Sequence, residues 1–271
     1  SHHYWTQILG EGADNTIIDA SNSFRSVFSV SGVGRGTVVS NLSITHGCAT
    51  NDPDYGSGLM LQRTGLRMVR CAIKNNAIDK GYGGGLYVSE SLPELFECSI
   101  EQNDQQGGGK GGGGGIYLDD RSGIVLDSCV IASNRSNRGI EKTDGAAIGT
   151  GILGAEKLSY VKIFNCLVVS NKTTGEGIDG ISIDLNNDPT KVIIQHTTFA
   201  DNSGVALRFT DAPSATVSNS IFWGQADDVS ATNSAYSLLN SVLQNESTNS
   251  RPGCITNNPL FVSGYFLNGT S

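Results

Sequence analysis

The chain has 271 residues, 38% of them hydrophobic and 16% charged, with 18 Lys and Arg against 26 Asp and Glu for a net charge of -8. This composition is too apolar and too weakly charged for a solvated disordered polymer, and the sign of the charge is wrong for tracking a phosphate backbone, so nucleic acid is not an expected partner. No apolar run approaches the roughly 18 residues of a spanning helix, and no leader of basic, apolar and small residues opens the chain, so no membrane span is expected in this segment.

Glycine supplies 35 residues, nearly twice the roughly 7% share of average proteins, which predicts frequent turns. The elements they separate form a repeat. Leu42-Ser-Ile44-Thr-His-Gly47 opens the series and is followed by Cys71-Ala-Ile-Lys-Asn-Asn76, Cys98-Ser-Ile-Glu-Gln-Asn103, Cys129-Val-Ile-Ala-Ser-Asn134 and Cys166-Leu-Val-Val-Ser-Asn171. Degenerate copies follow at Thr197-Thr-Phe199-Ala-Asp-Asn202 and Ser220-Ile-Phe222-Trp-Gly-Gln225. First positions lie 29, 27, 31, 37, 31 and 23 residues apart. A constant core with connections of changing length marks a solenoid.

A second element precedes the motifs. It reads Gly56-Ser-Gly-Leu59, Gly83-Gly-Gly-Leu86-Tyr87, Gly113-Gly-Gly-Ile116-Tyr117, Gly145-Ala-Ala-Ile148, and more weakly Gly177-Ile-Asp-Gly180-Ile181 and Gly204-Val-Ala-Leu207. Each unit is therefore a Gly turn, a short strand, a bend, a second strand and an Asn turn. Cys71 and Ile73, or Cys98 and Ile100, stand two apart and share the inner face of a strand, which sends Ser99 and Glu101 outward. Helix is excluded by the glycine frequency and by the lack of a sustained 3.6-residue period.

Units of 23 to 37 residues suit a wide right-handed parallel coil with three short sheets. The prediction is an all-β stack of roughly 8–10 coils at about 4.8 Å spacing, filling residues 1–271, with 1–20 and 228–271 as caps or junctions through which coil ends could self-associate. Parallel stacking makes Cys71, Cys98, Cys129 and Cys166 an internal column of small buried side chains. Their in-register Cβ vectors suit a disulfide poorly, and Cys48 and Cys254 are read as lying off the column. The Asn76, Asn103, Asn134, Asn171 and Asn202 column is read as structural, with Asn tolerating left-handed backbone and its amide bonding neighbouring coils.

The Gly-Gly-Gly-Leu, Gly-Gly-Gly-Ile and Gly-Ala-Ala-Ile stretches, followed by Ile-x-x-Asn, Val-x-x-Asn or Phe-x-x-Asn, resemble the repeats of polymorphic outer-membrane proteins. More broadly they resemble the right-handed parallel β-helix of the pectin-lyase-like superfamily. The opening Ile8-Leu-Gly-Glu-Gly12 with Asn15-Thr-Ile-Ile-Asp19 is similar to a first coil, and Asn219-Ser-Ile-Phe-Trp-Gly224 with Asn258-Pro-Leu-Phe261 is similar to the end of bacterial surface β-helices. The resemblance implies a place outside the cell or on its surface. It leaves activity open, because the superfamily holds lyases, hydrolases, epimerases, adhesins and stalks.

Catalytic candidates are Asp119, Asp120, Arg121 and Lys142, since a uronate lyase needs a basic group near a neutralised carboxylate. Asp119-Asp120-Arg121 reads equally as a polar exit turn. Family glycoside hydrolases place Gly-His-Gly and Arg-Ile-Lys downstream of their Asp residues, whereas here His46 precedes the Asp pair and Arg-Ile-Lys is absent. Tyr87, Tyr117 and Arg138 are ligand-binding candidates, the tyrosines being more naturally a stacked ladder. No cofactor is expected; Asp52, Asp54, Asp184 and Asp188 offer oxygen ligands for calcium, and solvated turns explain them as well. The resulting expectation is a non-catalytic surface adhesin, stalk or fibre component with polysaccharide or surface proteins as partners, the alternative being a polysaccharide lyase, glycoside hydrolase or carbohydrate-binding relative.

Overall fold

The computed structural model describes residues 6–23, 26–50, 54–106, 112–137, 145–151, 159–174, 180–184, 191–202, 204–212, 214–245, 251–261 and 265. Among them every paired strand is parallel to its neighbour, and no helix long and apolar enough to cross a membrane occurs. The chain winds through three sheets in turn. The first has nine strands, from Gln7–Leu9 through Arg67–Val69, Glu94–Phe96 and Gly123–Asp127 to Tyr236–Leu239. Among the described residues these nine strands mark nine coils.

The second sheet carries the repeat motif. Ile44, Ile73, Ile100, Ile131, Val168, Phe199 and Phe222 are successive partners in it, and the Phe199 and Phe222 rings stack at 4.7 Å. The third sheet holds the Gly-turn element, with Leu59, Leu86, Ile116, Ile148, Ile181 and Leu207 in one row. All of these side chains are fully buried and join one core. A short column, Ala77–Ile78, Asp104–Gln105, Arg135–Asn137 and Lys172–Thr174, extends the far end of Ser43–Ala49.

Within and just beyond residues 1–20, expected as a cap or junction, two strands pair onto the next coil: Gln7–Leu9 with Val38–Ser40 and Ile17–Ser23 with Ser43–Ala49. At the other end Asp227–Thr232 and Tyr236–Leu239 extend the third and first sheets.

The corners depend on backbone that L-residues seldom adopt. Between the first and second sheets Asn41, Arg70, Glu97, Ser128, Asn165, His196, Asn219 and Asn240 all have φ between 47° and 57°. Between the second sheet and the Asn column His46, Asn75, Gln102, Ser133, Ser170 and Asp201 have φ between 51° and 56°. The left-handed residue therefore comes just before each ladder Asn, which corrects the expectation that Asn itself takes that conformation.

The ladder Asn has a different task. Asn103 Nδ2 donates to Ile73 O (2.9 Å) and Asn134 Oδ1 (3.0 Å), and the Asn103 backbone N–H donates to the same Oδ1 (3.1 Å). Asn76, Asn134 and Asn171 repeat the pattern. Each amide thus satisfies backbone groups that the bend removes from the sheet ladder. The glycine triplets complement it: a Cβ on Gly85 would lie 2.6 Å from Gly115 O and 2.8 Å from Asn103 Nδ2. Gly83 and Gly113 turn the chain with φ of +72° and +67°.

The cysteine column is buried and its four thiols are free. It does more than fill space. Cys98 Sγ and Cys166 Sγ donate to the carbonyls two residues back, Phe96 O (3.3 Å) and Phe164 O (3.0 Å), and Cys166 Sγ accepts the Cys129 N–H (3.4 Å). Further along, Thr197, Ser220 and Ser241 take the same place and make the same bonds with hydroxyls. Neighbouring thiols, followed by burial, push the Cys98 and Cys166 thiols above the usual range.

Cys254 precedes Ile255 as Ser241 precedes Val242, and these two rungs are bridged in parallel. Its Sγ donates to Leu238 O (3.5 Å). The structure therefore sets Cys254 on a further rung of the column, which corrects the expectation that it lies outside; the degenerate intermediate rungs Thr197, Ser220 and Ser241 hide the continuity.

Candidate functional site

The candidate catalytic and ligand residues that are described gather at the third sheet and at the corner leading from it to the first. Tyr87 and Tyr117 are partners in adjacent coils. Their side chains alternate with the inward Leu86, Val88, Ile116 and Leu118 and so leave the sheet on its outer face. The rings stack 6.1 Å apart with an interplanar angle of 5°, and Tyr55 and Tyr82 pack 4.6 Å from Tyr87 and Tyr117 respectively. This is a covered aromatic cluster, with Tyr87 4% and Tyr117 2% exposed. The rings are not presented to solvent as a sugar platform would need.

Asp119 lies at the end of the strand Ile116–Leu118, 5% exposed, and accepts a hydrogen bond from the Tyr87 hydroxyl. Burial first, and then this carboxylate, push the Tyr87 phenol above its ordinary range. Asp120 and Arg121 follow in the turn, and Arg121 reaches Glu90 at 2.7 Å. Lys142, Arg138, Asp52 and Asp188 lie outside the described residues, as does the side chain of Asp54. Asp184 is half-buried, its backbone N–H donating to Thr150 Oγ1 at 2.7 Å. Among the described residues no group of three or more His, Cys, Asp or Glu side chains is gathered as a metal ion would need.

His46 Nδ1 stands 3.1 Å from Asp19 Oδ2 on the preceding coil, and both side chains are exposed. The Ser21 N–H, and then His46, hold the Asp19 carboxyl below the usual range. This ties a turn residue to its neighbour coil.

Across these coils the register stays fixed while corner connections vary, which is the anatomy of a β-helix. A family model for the right-handed β-helix region matches residues 11–243. The chain belongs to this right-handed β-helix family. Searches of curated proteins and of solved structures each found no match. Family membership explains the shared columns, while function rests on what each β-helix carries on its outside.

Two surface features of this β-helix escaped the sequence. The outer face of the first sheet carries Phe96, Tyr160 and Phe164, with the Arg67 guanidinium 4.4 Å from the Phe96 ring centre and the Lys162 ammonium 4.8 Å from that of Tyr160. The alternation Glu94, Phe96 and Tyr160, Lys162, Phe164 held that signal, but half-buried outward aromatics read like core in isolation. The second is a cleft of about 300 Å³ at the corner between the third and first sheets, lined by Arg35, Arg63, Thr64, Glu90 and Leu92 among others. Its members come from three coils, so no local motif announces them.

Proposed function

We propose that this β-helix is an extracellular or cell-surface protein acting without catalysis, as an adhesin, stalk or fibre component. The observation that carries this reading is the state of Asp119. This candidate acid is buried and accepts the Tyr87 hydroxyl, so it braces two coils instead of facing a substrate. Arg121 and His46 support the same reading, the first pairing with Glu90 and the second with Asp19. A rod built from satisfied columns suits bearing and spacing, with its loops available to surface glycans or proteins.

The test is a screen against uronate-containing and neutral polysaccharides, followed at 235 nm for unsaturated products and by reducing ends. The account expects no turnover. Turnover that disappears in Asp120→Asn or Lys142→Ala would replace it with the polysaccharide-active alternative.

A further inference from the structure

Two rungs of the Asn ladder carry a second chemistry that the fold conceals. Asn134-Arg-Ser136 and Asn171-Lys-Thr173 are Asn-x-Ser/Thr triplets, the pattern an N-glycan transferase modifies and one that in a secreted glycoprotein marks a surface loop. Here the same asparagines are only 1% and 0% exposed. We infer that Asn134 and Asn171 are modification sites of the unfolded chain alone, where an attached glycan bars the coils from closing, so that this protein reaches its fold away from any N-glycan transferase. The inference concerns where the coils close and holds for a stalk and for an enzyme alike.

The transferase moves an oligosaccharide from a lipid pyrophosphate carrier to the side-chain amide. A bond forms between the anomeric carbon of the sugar and Nδ2, the bond from that carbon to the carrier phosphate breaks, one amide proton passes to a base on the enzyme, and the lipid pyrophosphate departs. The modified amide keeps one hydrogen, whereas the ladder uses two. Asn134 Nδ2 donates to Ile100 O (2.8 Å) and Asn171 Oδ1 (3.0 Å), and Asn171 Nδ2 to Ile131 O (2.9 Å) and Asn202 Oδ1 (3.2 Å). Loss of either leaves a buried acceptor short of its donor. Space is the harder limit. A single Cβ added to Gly115 would already stand 3.0 Å from Asn134 Nδ2, and a glycan is bulky and solvated.

Place in the coil, more than sequence, separates these sites from another triplet. Asn41-Leu-Ser43 carries the same pattern, but Asn41 is half-buried at the left-handed corner that holds the exposed Arg70 and Glu97 in the next two coils. Its Nδ2 donates to the neighbouring Ser40 Oγ at 3.3 Å. A glycan there leaves the ladder intact. The rungs Asn76-Ala-Ile78 and Asn103-Asp-Gln105 lack the third-position hydroxyl. Those of the two reactive rungs come from Ser136 and Thr173, which are strand partners in adjacent coils.

The full chain behind a cleavable secretion signal, translated in a cell-free system with and without transferase-bearing microsomes, tests this. Glycan positions are read by mass spectrometry and folding by limited proteolysis. Chains made without microsomes should resist the protease. Chains glycosylated at Asn134 or Asn171 should be cut at least about tenfold faster, since cleavage follows the open population, while chains modified at Asn41 alone should resist. A competing acceptor tripeptide added to the microsomes should restore resistance to the unaltered chain. Ser136→Ala with Thr173→Val should do so without it, because Gln105 Oε1, which accepts the Ser136 hydroxyl, also accepts the Asn137 N–H at 3.1 Å. Full resistance in chains modified at Asn134 or Asn171, no glycan at either site, or no rescue by the tripeptide would overturn the inference. Sensitivity in chains modified at Asn41 alone would overturn the part assigned to the ladder.

Discussion

Asn134 Oδ1 accepts two hydrogen bonds from Asn103 on the preceding coil, one from its backbone N–H at 3.1 Å and one from its side-chain amide at 3.0 Å. Asn134 Nδ2 in turn donates to Ile100 O at 2.8 Å. Asn134→Ala strips the acceptor from a buried N–H and the donor from a buried carbonyl. With about 1–3 kcal/mol for each group left unpaired, a loss of about 3 kcal/mol or more is expected. Urea unfolding measures it, and a loss of only a few tenths would show that the ladder is ornamental.

The Cys column predicts a ranking. Cys166 Sγ donates to Phe164 O and accepts the Cys129 N–H, as Ser220 Oγ donates and accepts further along. Cys166→Ser should therefore be tolerated better than Cys166→Val, which keeps bulk but loses both bonds, by about 1 kcal/mol or more. Thermal unfolding of the two variants gives the order; Val above Ser would mean the column is held by apolar packing alone.

Thiol reactivity checks the same column from outside. Cys71, Cys98, Cys129 and Cys166 are buried, while Cys48 and Cys254 are half-buried. A chromogenic disulfide reagent should titrate the latter two quickly in the native protein and all six only after denaturation. Fast reaction of any of the buried four contradicts the stacking.

Much of this was legible beforehand, because parallel coils repeat their inward residues. The C-x-[IV]-x-x-N motif named the rows Ile73, Ile100 and Ile131 and the Asn ladder, and varying spacings gave the loops. What escaped has a physical cause. Left-handed φ falls on Arg70, Glu97 and Arg63 as well as on Asn41, Asn75 and Asn165, so the corner is imposed by the coil and Asn marks only some of its positions. The pairing of Tyr87 with Asp119, like the grouping of Arg35, Arg63 and Glu90, joins residues one or two coils apart whose separations vary with each loop.

Glycine content was read as turning, but Gly85 is needed for close approach to Gly115 O and Asn103 Nδ2. Gly85→Ala should cost roughly 1–3 kcal/mol through overpacking. Ala147 fills the equivalent place one coil beyond Gly115, so Ala147→Gly should cost less. Equal effects would remove the steric argument.

The buried phenol of Tyr87 gives an alkaline signature. Its pKa is raised by burial and by Asp119, so the stability it contributes is complete below a phenol's ordinary 10.0 and declines as pH rises beyond that, while the unfolded chain ionises and the folded one does not. Tyr87→Phe should flatten the fall in melting temperature above about pH 10. An identical alkaline profile in both proteins would contradict the assignment.

The coil spacing itself is the most direct test of the account. Lys74, Glu101, Ala132, Val169, Ala200 and Trp223 are consecutive partners on the outer face of the second sheet. With spin labels at 74 and 223, pulsed electron resonance should find a backbone separation of five coil spacings, about 24 Å, and with labels at 101 and 223 one spacing less, about 19 Å. Distances that do not shorten by one spacing between the two pairs would contradict the stacked parallel coil on which the columns, the corner cleft and the proposed role all depend.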